Sequence, residues 1–137
     1  MAESPLHRSM KGIVRADLER EHYGVVEEPF FPPTSRISWS TYRPDLLGYR
    51  LEKQAEELVI VECETNPNMG RFRSKNFSSL SFQPSVFSAG RIRRILAVPQ
   101  GRLHMVDLGL RSDWEIWMLG HSQPTQKLPR LGRNHPV

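Results

Sequence analysis

Three carboxylates stand where they could do chemistry. Asp45 follows Pro44, and after a gap of 16 residues Glu62-Cys63-Glu64 closes the aliphatic run Leu58-Val59-Ile60-Val61. Strand alternation puts Glu62 and Glu64 on one face and Cys63 on the other. Two carboxylates on one face of a core strand repel each other, and each is expensive to desolvate. A hard cation such as Mg²⁺ or Mn²⁺ would resolve that conflict, with Asp45 as a third oxygen ligand. The competing account is a pair of acids at an exposed strand end, neutralised by neighbouring arginines.

These acids need a hairpin to bring them together. Leu47, Tyr49 and Leu51 alternate with Gly48 and Arg50, so Pro44 to Leu51 is expected to be a half-buried strand. Glu52 to Glu57 is polar and is expected to turn. Leu58 to Val61 then reads as a buried central strand.

Pro44-Asp45 followed by Glu62-Cys63-Glu64 resembles the active-site hairpin of the PD-(D/E)xK nuclease superfamily, over roughly Leu6 to Leu119. The pattern of that superfamily is an Asp on one strand and Glu-x-Lys on the next. Glu64 stands where the Lys is usual, and a minority of members carry Glu-x-Glu. The resemblance implies an α/β domain over residues 1–119 with a restriction-endonuclease-like core, a mixed sheet of about five strands flanked by helices. It implies a metal-dependent DNA endonuclease, with Asp45, Glu62 and Glu64 as catalytic and metal-ligating residues and Mg²⁺ or Mn²⁺ as cofactor. In several branches the catalytic Lys has moved to the following helix; here Lys75 would serve, with Arg73 as second choice. A surface lysine is the other reading of Lys75. The usual α1 Glu would fall near Met10 or Lys11, and neither is acidic.

Charge is unevenly spread. Residues 1–66 hold 12 acidic and 8 basic side chains, whereas residues 67–137 hold 11 basic ones and only Asp107, Asp113 and Glu115 as acids. A metal site beside a phosphate-binding surface has this layout, and so does a solvated basic face. Arg71, Arg73, Arg91, Arg93 and Arg94 are the candidates to hold DNA phosphates, which gives affinity without sequence information.

A length of 137 residues suits one domain. No apolar run approaches the roughly 18 residues of a membrane span. Residues 1–23 lack the apolar stretch of a signal peptide, and Cys63 is the single cysteine, which excludes an internal disulfide. These features lead to the expectation of a cytoplasmic protein. Glycine-rich phosphate loops and the GxSxG elbow are absent.

Along the chain, Met1 to Pro5 is expected to be loose. Ser4 and Pro5 can start a helix. Leu6, Met10, Ile13, Val14 and Leu18 carry it to about His22, with Gly24 as the stop. His7 and Lys11, one turn apart, face either solvent or phosphates. Tyr23 to Glu28 reads as a strand whose Glu28 is either its solvated end or a visitor to the metal. Met69 to Leu80 is expected to be helical and Ser81 to Gly90 a loop. Arg91 to Pro99 should be a strand, Gly101 to Ser112 a helix, and Trp114 to Leu119 a last strand. Residues 120–137 contain no acid and three prolines, so a disordered basic tail, or an arm ordered by a partner, is expected.

Two functions compete. One is an endonuclease acting in a transposition, recombination or restriction complex, as a homo-oligomer or with a DNA-binding protein partner. The other is a nuclease-fold module that has lost catalysis and binds DNA or protein.

Overall fold

The structure is a computed structural model. It describes residues 3–29, 37–38, 43–67, 81–82 and 90–132. The expected helix over Met69 to Leu80 lies outside the described residues.

Helix α1 spans Pro5–Arg20. Its start is the one expected: the Ser4 side chain accepts from the His7 N–H at 3.1 Å, and Pro5 takes the first turn, where a missing N–H does no harm. Met10, Ile13, Val14 and Leu18 are buried on one face. The stop differs from expectation. His22, at φ 71°, takes the left-handed position, and the Tyr23 N–H closes back on the Leu18 carbonyl. Tyr23 and Leu18 then pack in the same core, as a Schellman ending requires. Gly24 instead begins strand β1, Gly24–Glu27.

The main sheet has six strands in the order β1-β3-β4-β6-β7-β8. The others are β3 (Leu46–Glu52), β4 (Ala55–Cys63), β6 (Arg91–Pro99), β7 (Glu115–Leu119) and β8 (Pro124–Leu128). β3 is antiparallel to both β1 and β4; β6 joins β4 in parallel, and β7 joins β6 likewise. The class is α/β with a mixed sheet. A separate pair, β2 (Ile37–Ser38) and β5 (Ser81–Phe82), is antiparallel.

Three expectations change. The hairpin turn is only Lys53–Gln54, both at positive φ, and not Glu52 to Glu57. Glu56 and Glu57 are therefore inside β4 and buried. They are kept there by partners: Tyr49 Oη donates to Glu56 at 2.7 Å, while Tyr23 Oη, Arg91 and Arg50 meet Glu57. Next, Gly101 to Ser112 is not one α-helix but two 3-10 segments, Gln100–Met105 and Leu108–Ser112. Asp107 caps the Gly109 N–H at 2.9 Å and so interrupts the helix. Leu103, Val106 and Leu110 still pack on the sheet, so their spacing reported burial correctly.

The third change is in the basic tail. Pro124–Leu128 forms β8, antiparallel to β7. Lys127 lies over the Trp117 ring at 4.1 Å and pairs with Asp17 at 2.5 Å. A polar strand at a sheet edge is normal, so polarity alone did not argue against it. Gly120 makes the tight return: a Cβ there would stand 2.8 Å from Thr125 Cγ2.

α1 covers one sheet face, over Leu46, Val59, Val61, Cys63, Ile95, Ala97, Trp117 and Leu119. Leu96, Val98, Ile116 and Met118 form the core of the other face with Val106 and Trp114. Among the described residues no helix is long and apolar enough to cross a membrane.

Candidate functional site

The acids gather where β3 begins and β4 ends. The paired register ends at Leu46 and Val61, and Asp45 and Glu62 are the next residues on either side, Asp45 in a bend just ahead of β3. Asp45 does not splay outward: its Oδ2 accepts from the Cys63 N–H at 2.8 Å. The same oxygen lies 3.3 Å from His7 Nε2. Glu62 is 1% exposed, on the face away from α1, while Cys63 faces α1 as alternation requires. Glu64 is half-buried just past β4, and its N–H donates to the Ala97 carbonyl at 2.9 Å.

Cys63 is core, as expected. Burial pushes its thiol well up, and the carboxylates of Asp45 and Glu62 push the same way; Lys11 opposes them. A thiol so disfavoured from ionising makes a poor nucleophile.

Helix α1 supplies a cationic edge that sequence reasoning underestimated. His7 and Lys11 are four residues apart and share one helix face, and Glu3, just ahead of the Ser4 cap, folds over it. Lys11 is 3% exposed, not on an open surface. Its Nζ meets Glu3 Oε2 at 2.5 Å and Glu27 Oε2 at 3.4 Å. Burial alone would lower the Lys11 pKa, but pairing with Glu3 and Glu27 outweighs it and the pKa rises. His7 Nδ1 meets the same Glu3 oxygen at 2.8 Å, and Arg8 Nε lies 3.6 Å from the other. These contacts hold the Glu3 carboxyl down at about 2, with the Lys11 hydrogen bond the main lowering cause and His7 next. The expected loose start is therefore tied down at Glu3. Glu28 is exposed, and its backbone N–H donates to the Asp45 carbonyl at 3.0 Å.

The expected phosphate-binding arginines sit elsewhere. Glu57 pairs with Arg91 and Cys63 with Ala97, so Arg91 lies six residues, roughly 20 Å, along the strands from the acids. Arg91 is bound to Glu57, and Arg93 to Glu115. Arg94 is half-buried and also engaged. Arg91 and Arg93 are ion-paired and lie away from the acidic centre. Arg71, Arg73 and Lys75 lie outside the described residues.

No family model, curated protein or solved structure matches the chain.

Whether a metal fits is a question for the donor set. Among the described residues no group of three or more His, Cys, Asp or Glu side chains is arranged to hold a metal ion. The expected cage of Asp45, Glu62 and Glu64 is thus not formed. Asp45 and Glu62 are hard oxygen donors at the adjoining ends of two strands, Asp45 turned toward His7 of α1 and Glu62 away from α1. Mg²⁺ commonly takes one or two carboxylates and completes its shell with waters and substrate phosphate. A single one of these carboxylates fits that mode.

Proposed function

We propose that the chain is a metal-dependent endonuclease that hydrolyses DNA phosphodiester bonds. Its core would be restriction-endonuclease-like and its setting cytoplasmic. The observation that carries this reading is the Asp45 carboxylate held on the Cys63 N–H, next in sequence to the buried Glu62. Further support comes from the helix, the antiparallel β1-β3-β4 and the parallel addition of β6, which suit the α/β core implied by the resemblance.

Asp45 would hold Mg²⁺ or Mn²⁺, with Glu62 and Glu64 beside it. When bound, the metal supplies a polarised phosphodiester oxygen and a water of lowered pKa. The protein's own residues do the rest. The Cys63 N–H and His7 orient Asp45. Burial fixes the Glu62 side chain near the end of β4. Glu64, half-buried, would take a proton from the attacking water. Lys75 is the proposed source of an ammonium group for the charge that builds on phosphate, with Arg71 and Arg73 on the DNA backbone. A homo-oligomer or a DNA-binding partner would supply sequence recognition.

The second reading is a nuclease-fold module without catalysis. The observation favouring it is the buried Lys11 ammonium, a fixed cation beside acids that form no three-ligand group. Thermal unfolding with and without Mn²⁺ separates the two, on wild type and Asp45→Asn. The nuclease reading expects a metal-induced rise in Tm in the wild type alone, with Mn²⁺-dependent cutting of plain, branched or single-stranded DNA. No rise at millimolar metal, with no cutting, rejects it in favour of the binding module.

A further inference from the structure

Glu3 occupies a seat built for an anion. One of its oxygens is held by Lys11 Nζ at 2.5 Å and His7 Nδ1 at 2.8 Å. The other faces Arg8 Nε at 3.6 Å. Three basic side chains from successive turns of α1 therefore converge on two oxygens of one group. The seat borders the acidic centre, because the other nitrogen of His7 lies 3.3 Å from Asp45 Oδ2. It also opens to solvent: Arg8 is exposed, and Glu3 itself is 24% exposed. Only Lys11 is deeply sunk, with 4% of its side chain exposed.

We infer that Lys11, His7 and Arg8 form a binding site for one phosphodiester group of a nucleic-acid backbone, which the Glu3 carboxylate fills when nucleic acid is absent. The choice of ligand deepens the proposed function and rests on it; the seat does not. A phosphodiester, like a carboxylate, carries a single negative charge shared over two free oxygens. Exchange of one for the other leaves the charge balance against Glu27 and Asp45 unchanged. A phosphate dianion would add a charge beside those acids and fits less well. Glu3 is well suited to leave, since it precedes the helix and no strand or helical hydrogen bond of its own holds it. Once Glu3 swings out, Lys11 is left with the longer contact to Glu27 at 3.4 Å. A buried ammonium with a weakened pair draws in another anion.

The test uses the full chain in EDTA, so that the proposed metal site plays no part. Binding of a short fluorescent duplex DNA is read by anisotropy for wild type, Glu3→Gln, Glu19→Gln and the double variant Glu3→Gln with Lys11→Met. Glu19, on the same helix and half-exposed, controls for the added positive charge. Methionine keeps the buried stem of Lys11 packed while removing its charge. Glu3→Gln is expected to tighten DNA binding about tenfold, the worth of one charge-assisted hydrogen bond, with Glu19→Gln far below that and the double variant losing the gain. Dimethyl phosphate, the smallest phosphodiester, should raise the Tm of Glu3→Gln above that in sodium chloride of equal ionic strength, and leave the double variant unmoved. If Glu3→Gln gains no more than Glu19→Gln and dimethyl phosphate moves no Tm, the seat is refuted. A Mn²⁺ shift in wild type alongside that result would leave the nuclease reading standing, and the reverse pattern would leave the seat without the metal.

Discussion

One pair of substitutions separates the amide-capping role of Asp45 from its proposed role as a metal ligand. Its Oδ2 accepts from the Cys63 N–H at 2.8 Å, at the end of the central strand. Asp45→Ala leaves that amide without its acceptor, which costs about 1–3 kcal/mol. Asp45→Asn keeps an acceptor oxygen. It weakens a charge-assisted bond to a neutral one, a loss of about 1 kcal/mol. Each kcal/mol moves the Tm by roughly 3–5 °C at this chain length. Without metal, Asp45→Asn should therefore melt within a few degrees of wild type and Asp45→Ala clearly lower. Metal at about ten times its Kd adds about 1.4 kcal/mol to wild type, and both variants should lose that gain together. Differential scanning fluorimetry with and without Mn²⁺ reads all six conditions. Asp45→Ala as stable as wild type would refute the amide-capping role. An Asp45→Asn variant with an undiminished Mn²⁺ shift would remove Asp45 from the ligands.

Other outcomes are expected from the same contacts. The folded Glu3 pKa of about 2 lies below its ordinary 4.5, so its contribution to stability is fully present above pH 4.5 and lost as pH falls toward 2. The stability difference between wild type and Glu3→Gln, measured by urea unfolding, should shrink across that window; a difference independent of pH contradicts the pairing. Replacing Lys53-Gln54 by Asn-Gly should add about 1 kcal/mol, since both residues sit at positive φ, which Asn and Gly adopt more readily. Urea unfolding that shows no gain would put the turn elsewhere. Ending the chain after His121 removes β8, uncovers the Trp117 face and bares the β7 edge. Red-shifted tryptophan emission and rising light scattering are expected, and an unchanged spectrum would return this segment to a dispensable tail.

Much of the scaffold was legible in the residues themselves. Leu58 to Val61 and Arg91 to Pro99 read as strands, and Ser4-Pro5 with its apolar stripe read as a helix, because period and capping are local properties. The alternation that sends Cys63 toward α1 and Glu62 away was equally local. The hairpin itself was legible but its register was not, because the turn is two residues and not six: Glu56 and Glu57 look like turn residues until Tyr49, Tyr23, Arg50 and Arg91 arrive to satisfy them. No short window contains those partners.

The tertiary structure alone decided where charges are spent. Arg91 and Arg93 looked free for DNA, yet Glu57 and Glu115 lie beside them across neighbouring strands. Lys11 looked like a surface lysine until Glu3 and Glu27 closed on it. The acidless segment after Gly120 became an edge strand because β7 offered an open ladder and Lys127 met Trp117 and Asp17. Hydrophobic periodicity reports which face a residue turns inward, and that is set by neighbours a few positions away. An ionic side chain's role is set by whichever opposite charge the fold brings within about 4 Å, and that partner lies anywhere in the chain.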